Sequence, residues 1–202
     1  MLGYCDKGKR RRLLPSRNCV RRFSILYARR GRLPNPNPNP NPNFVHARHA
    51  AMNGSKALMI KANDTDVVVI AISVMQSLNE IGLQKLWIAF DQGGNFRWIP
   101  VQEVVHTIGQ EKASGLPFFH AFPGCDTVSA IRCKWKTSAW QTWNICEEIS
   151  TTFTKLSQCV TALDNVDLQS LEKFVVVMYD RSSADTSVND ARLKLFARKQ
   201  RP

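Results

Sequence analysis

Apolar and polar positions alternate in short blocks from Phe44 onward, and the blocks change period. Residues 44–53 (Phe-Val-His-Ala-Arg-His-Ala-Ala-Met-Asn) read as a helix that Gly54 closes. Ala57 to Ile60 is a short apolar strand, after which Asn63 or Asp64 can cap a helix with acids in its first turn. Val67, Val68 and Val69 are β-branched, so a strand is the competing reading there. Lys85 to Phe90 reads as a buried strand, Asp91-Gln-Gly-Gly-Asn as a turn, and Phe96 to Ile99 as a returning strand. Pro100 opens a helix with Val101, Val104, Val105 and Ile108 on one face. Trp140 and Trp143 share a face of a later helix that Thr137 or Ser138 can cap. Leu168, Leu171, Val175 and Met178 define another helix, and Ser187 can cap a last one holding Leu195 and Phe196. Many helices with few strands, in α–β–α order, predict an α/β fold with a small parallel sheet.

Upstream of this pattern the composition changes twice. Residues 34–43 repeat Pro-Asn five times. Proline at every second position blocks helix and sheet, and ten such residues in extended chain reach on the order of 30 Å. Residues 34–43 are therefore expected to be a linker, and the folded domain to run over 44–202. Residues 1–32 hold eleven Lys or Arg and one acid, Asp6, a charge of +10 out of the chain's +12. Arg10, Arg11 and Arg12 are its densest run. Such a segment repels itself and predicts a disordered basic tail over 1–33. The tail fits phosphate binding or nuclear import, a mitochondrial presequence, or a solvated extension without a selected role.

Six cysteines without C-x-x-C spacing exclude a zinc-ribbon reading and suit reduced thiols in an intracellular protein, nuclear in preference to mitochondrial. The longest apolar run, Val67 to Ile72, is too short to span a bilayer, so no membrane partner is expected.

The candidate chemistry is acidic. Asp64 and Asp66 follow a strand, and in α/β sheets ligands gather at the carboxyl ends of strands. Carboxylates there hold Mg²⁺ or Mn²⁺, which prefer oxygen donors, and two such ions roughly 4 Å apart drive phosphodiester cleavage. The same two acids also suit a helix N-terminus, where the macrodipole favours negative charge. His46 and His49 lie one helical turn apart without a third ligand, which favours packing or surface placement. His120 and Cys125 lack nucleophile spacing. Asp91 and Glu103 can supply further carboxylates, or sit in a turn and on a solvated helix face. The five tryptophans can stack on bases, although Trp140 and Trp143 at helical spacing suit a core.

Several stretches occur in an order shared with a known family. They are His-Ala-Arg-His-Ala (46–50), Asp-Thr-Asp-Val-Val-Val (64–69), Leu-Trp-Ile-Ala-Phe (86–90) and Asn-Phe-Arg-Trp-Ile-Pro (95–100). Leu-Pro-Phe-Phe-His-Ala-Phe-Pro-Gly-Cys-Asp-Thr-Val-Ser-Ala (116–130) and Lys-Thr-Ser-Ala-Trp (136–140) follow. The series resembles the PIN-like, flap-endonuclease-like nuclease domain of transposon-associated animal proteins, over residues 44–200. The resemblance implies a three-layer α/β domain with a small, mostly parallel sheet and a helical C-terminal part. It implies Asp64, Asp66 and Asp126 as ligands of Mg²⁺ or Mn²⁺, and nucleic acid as partner. Two departures qualify it. The family carries acids just before the His-Ala-x-His-Ala stretch, whereas here no Asp or Glu occurs between Asp6 and Asp64 and the Pro-Asn repeat takes that place. The implied domain is thus N-terminally truncated, with weak or absent cleavage. The family's Gly-x-Gly turn, which touches DNA phosphates, is Cys133-Lys134-Trp135 here. Arg132, Lys134 and Lys136 still offer phosphate contacts around it.

Overall fold

The computed structural model describes residues 24–27, 42–91, 93–124, 131, 135–158 and 163–199. Among these the chain is α/β and mostly helical, with eight α-helices and one small mixed sheet. It divides into two compact units, residues 1–68 with 75–104, and residues 69–74 with 105–202.

The first unit is built on the sheet, whose strand order is β1 (Ser24–Tyr27), β2 (Ala57–Ala62), β3 (Lys85–Phe90) and β4 (Arg97–Pro100). The pairings β1–β2 and β2–β3 are parallel, and β4 returns antiparallel to β3. Ser24–Tyr27, which the charge pattern assigns to the basic tail, is its uncharged stretch between Arg22 and Arg29. In β2 and β3 the register pairs Leu58 with Leu86, Ile60 with Ile88 and Ala62 with Phe90, all buried. The opposite face carries Met59, Trp87 and Ala89, packed with Phe96 and Trp98. Every residue of β3 after Lys85 is buried, as its unbroken apolar run requires. Where the β3–β4 ladder ends at Pro100, the Gln102 side-chain oxygen accepts the Leu86 N–H at 3.0 Å.

Helix α1 (Pro42–Met52) begins inside the Pro-Asn repeat, two residues before Phe44. Proline suits a first helical position because the N–H it lacks would have no partner there. Phe44, Ala47 and Ala51 are buried at helical spacing, and Gly54, at φ 87°, ends the helix as expected. Helix α2 (Thr65–Glu80) resolves the ambiguity at Val67–Val69 in favour of helix. Helix α3 (Val101–Ile108) starts one residue after Pro100, which is the last residue of β4.

The second unit holds α4 (Gln110–Ala121), α5 (Lys136–Trp143), α6 (Ile149–Ser157), α7 (Asn165–Tyr179) and α8 (Val188–Lys199). Its core is aromatic: Phe119, Trp143, Phe153 and Phe174 are buried, with Trp143 and Phe174 both edge-on to Phe153 at 5.0 and 5.2 Å. The Trp143 indole N–H donates to the Ser150 hydroxyl at 2.9 Å, so its polar edge is satisfied inside the core. The Cys146 thiol is free and buried, and burial pushes its pKa up, which suits an inert core residue.

Helices α4 and α6 approach closely at Gly115, where an added Cβ would lie 2.9 Å from Phe153 Cβ and 3.2 Å from the Thr154 amide nitrogen. Hydrogen bonds cross the same contact. Thr154 Oγ1 donates to the Glu111 carbonyl at 3.2 Å, and the Phe118 N–H, beside Pro117, donates to Ser157 Oγ at 3.1 Å.

Two sequence expectations are corrected here. The cap of α5 is Trp135, while the Ser138 hydroxyl bonds back to the Trp135 carbonyl instead of capping. The buried face of α7 is Leu171, Phe174, Val177 and Met178, with Leu168 exposed, because Phe174 carries the larger apolar surface into the core. Phe196 on α8 is exposed, and Ala191 is the buried residue of that helix. The expectations for residues 1–23 and for the repeat up to residue 41 lie outside the described residues.

Helix α7 is capped by Asp164, whose Oδ1 accepts the Asp167 N–H at 2.7 Å while Oδ2 accepts from Lys155 Nζ at 2.7 Å. The Lys155 hydrogen bond first, and the Asp167 N–H second, hold the Asp164 pKa down from an ordinary 3.8 to about 2. A depressed carboxyl pKa adds stability above the unfolded value, and that stability is lost as pH falls through the folded value. Unfolding midpoints in urea should therefore drop between about pH 4 and pH 2. In Asp164→Asn, which keeps an acceptor for the cap, the drop should be shallower; an identical pH profile would show that the carboxylate charge does not matter. At the α4–α6 contact, Gly115→Ala should destabilise by about 1–2 kcal/mol, overpacking outweighing alanine's better helix propensity. An unchanged or raised urea midpoint would mean that the two helices have room to part.

Candidate functional site

The parallel pairing of β2 and β3 ends both strands at one edge, since Ala62 is in register with Phe90. Asp64 lies two residues past β2, and Asp91 directly follows β3. The backbone joins these two exits, with the Asp91 N–H donating to the Ala62 carbonyl at 3.1 Å.

Asp64 is extended (φ −107°, ψ 129°) and caps α2, its Oδ1 accepting the Asp66 N–H at 2.9 Å. Asp66 lies in the first turn of the same helix and is half-buried. The cap orients Asp64 and occupies one of its oxygens. Negative charge on both residues is compatible with the exposed N–H groups of the helix start. The helix-terminus reading of these acids is therefore observed, and it leaves the second Asp64 oxygen as a possible donor to a cation. Asp91 has φ 68°, in the left-handed region that Asp enters more readily than most residues. The edge of the sheet thus carries a third acid, which the sequence offered both as a further carboxylate and as a turn residue.

The described residues bring together Asp64 and Asp66 and place Asp91 at the same edge. Asp126, the third ligand the family resemblance implies, lies outside the described residues, as do Cys125, Arg132, Lys134, Arg10, Arg11 and Arg12. Among the described residues, no three His, Cys, Asp or Glu side chains form a group able to hold a metal ion. Glu103 is exposed in the first turn of α3. His46 and His49 are exposed on α1, and the His49 ring lies 3.2 Å from the Asn53 side-chain nitrogen, which fits a surface role.

In the second unit, Lys136 opens α5 with its Nζ 3.3 Å from the ring nitrogens of His120 on α4. Trp140 and Trp143 lie in the core, edge-on to one another at 5.3 Å. Among the described residues, no helix is long and apolar enough to cross a membrane. Comparison with family models, curated proteins and solved structures finds no match to the chain.

The cap separates two roles for Asp64. Asp64→Ala should cost about 1 kcal/mol of stability, because the Asp66 N–H loses its acceptor. Asp64→Asn should cost little, because an amide oxygen also caps. Equal losses in the two variants, measured by urea unfolding, would show that charge and not the cap hydrogen bond holds this end of α2.

Proposed function

We propose that the chain carries a PIN-like, flap-endonuclease-like domain acting on nucleic acid, with Asp64, Asp66 and Asp126 as ligands of Mg²⁺ or Mn²⁺ and with reduced cleavage. The observation that carries this reading is the position of Asp64 and Asp66 at the carboxyl edge of a parallel strand pair, where α/β folds bind their ligands. The donors fit a hard divalent cation in kind, being carboxylate oxygens. They fall short in number, since one Asp64 oxygen is committed to the helix cap and no Asp or Glu occurs in the sequence between Asp6 and Asp64.

A bound divalent ion would activate water and steady the leaving oxygen of a phosphodiester. The chain's own contribution is to fix the acids. The cap holds Asp64, the first turn of α2 holds Asp66, and the Asp91–Ala62 hydrogen bond holds the neighbouring strand exit. The cap also favours a second reading, a non-catalytic nucleic-acid-binding domain in which these acids serve the helix and the basic residues supply affinity.

A cleavage assay on flap and single-stranded DNA decides between them. Trace cleavage is expected in Mn²⁺, and none in Asp126→Asn, whose Mn²⁺ affinity should fall while its stability in chelator is unchanged or raised. Absence of any cleavage together with retained DNA binding would establish the second reading. Robust multiple-turnover cleavage in Mg²⁺ would overturn the reduced-activity proposal and point to Asp91 as a completing ligand.

A further inference from the structure

We propose that Trp135, together with Lys136, is a base-stacking platform that makes the chain bind single-stranded nucleic acid in preference to duplex. The proposal rests on the preceding section for its class of ligand, and on separate residues for its argument.

Trp135 is 81% exposed, more than any other large apolar residue described. Its position is built, although its ring is bare. Its carbonyl accepts from the Ala139 N–H at 3.1 Å and from the Ser138 hydroxyl at 2.8 Å, so the first turn of α5 fixes the backbone that carries the indole. The other tryptophans of this helix contrast with it. Trp143 is fully buried, and Trp140 packs edge-on against Phe119 and Trp143. Among the described residues, Trp135 makes no ring contact of that kind.

An exposed indole is costly in water, and a flat aromatic face on a fixed backbone stacks on any unpaired base. Paired bases in a duplex offer no free face to it. The adjacent group has the sign the ligand needs: Lys136 is exposed, and its ammonium is held 3.3 Å from the His120 ring. A lysine beside a stacking ring supplies a phosphate contact for the nucleotide whose base is stacked. A partner with only an aliphatic surface, or only anionic groups, would use one of these two features and waste the other.

The test uses the full chain and two fluorescent probes, an oligothymidylate and a duplex of the same length, read by anisotropy at several salt concentrations. Trp135→Ala should weaken binding to the oligothymidylate by about ten-fold and leave duplex binding unchanged. Trp135→Phe should keep most of the affinity. Lys136→Ala should lower the salt slope by about one. The urea midpoint of Trp135→Ala should match the unmodified chain, since the ring lies outside the core.

Several results would overturn the proposal. Unchanged oligothymidylate binding in Trp135→Ala would do so, as would an equal loss on both probes, or failure of the unmodified chain to bind either. A fall in self-association with unaltered DNA binding would assign the ring to a contact between copies instead. Trp135-dependent binding without cleavage in Mn²⁺ would leave this proposal standing while the nuclease reading fails. Cleavage that ignores Trp135 in both binding and rate would do the reverse.

Discussion

The candidate site depends on the parallel pairing of β2 with β3. Parallel strands send both chain exits to one edge, and the register from Leu58–Leu86 to Ala62–Phe90 sets those exits level. A one-residue slip of β2 against β3 would break the pairing of Leu58 with Leu86 and of Ile60 with Ile88 and mismatch it with the opposite buried face of Met59, Trp87 and Ala89, so packing on both faces enforces this register. Asp64 and Asp91 are therefore placed by apolar residues they do not touch in sequence. The Asp91–Ala62 hydrogen bond then continues the link one residue beyond the end of β3.

The second unit solves a different problem. Its helices carry large aromatics, and two bulky helix faces cannot meet closely without a gap in one of them. Gly115 is that gap, and Phe153 fills it. Closeness then lets side chains satisfy backbone groups across the contact. Ser157 accepts the Phe118 N–H next to Pro117, where the helix ladder is already broken by the missing proline donor. Packing and hydrogen bonding at α4–α6 are thus consequences of one small residue.

The first unit was legible in the sequence and the second much less so. Short apolar runs mark β2 and β3, Gly54 marks the end of α1, and Asp64 marks the start of α2, because each signal is local. The valine run at 67–69 left helix and strand open until the cap and the length of α2 decided it. Helices α4 and α6 carry no such signature. Pro117 and Gly115 speak against a helix locally, and the aromatic core that overrides them is assembled from residues far apart in the chain. The same reason hid the true face of α7, where Phe174 and Val177 outweigh the expected Leu168. At the edge of the sheet, Asp64 and Asp66 were legible as a motif. Asp91 and Glu103 were offered equally as further carboxylates, and only strand register, which sets Phe90 level with Ala62, separates Asp91 at this edge from Glu103 on α3.

Electrostatics separates where the chain holds an acid pair from where it can hold a phosphate. Asp64 and Asp66 place negative charge at the start of α2, the end of a helix that otherwise attracts anions. A phosphodiester therefore meets repulsion at this edge unless a cation lies between. On the nucleic-acid reading proposed above, affinity would have to come from basic residues elsewhere, and the sequence concentrates them in residues 1–32, which carry +10 against about +2 for the other 170 residues. Affinity from such a tail is sequence-independent and falls steeply with salt. Such affinity would not choose between strand forms. The proposed role of the exposed Trp135 would add what such a tail lacks, a preference for bases that are free to stack.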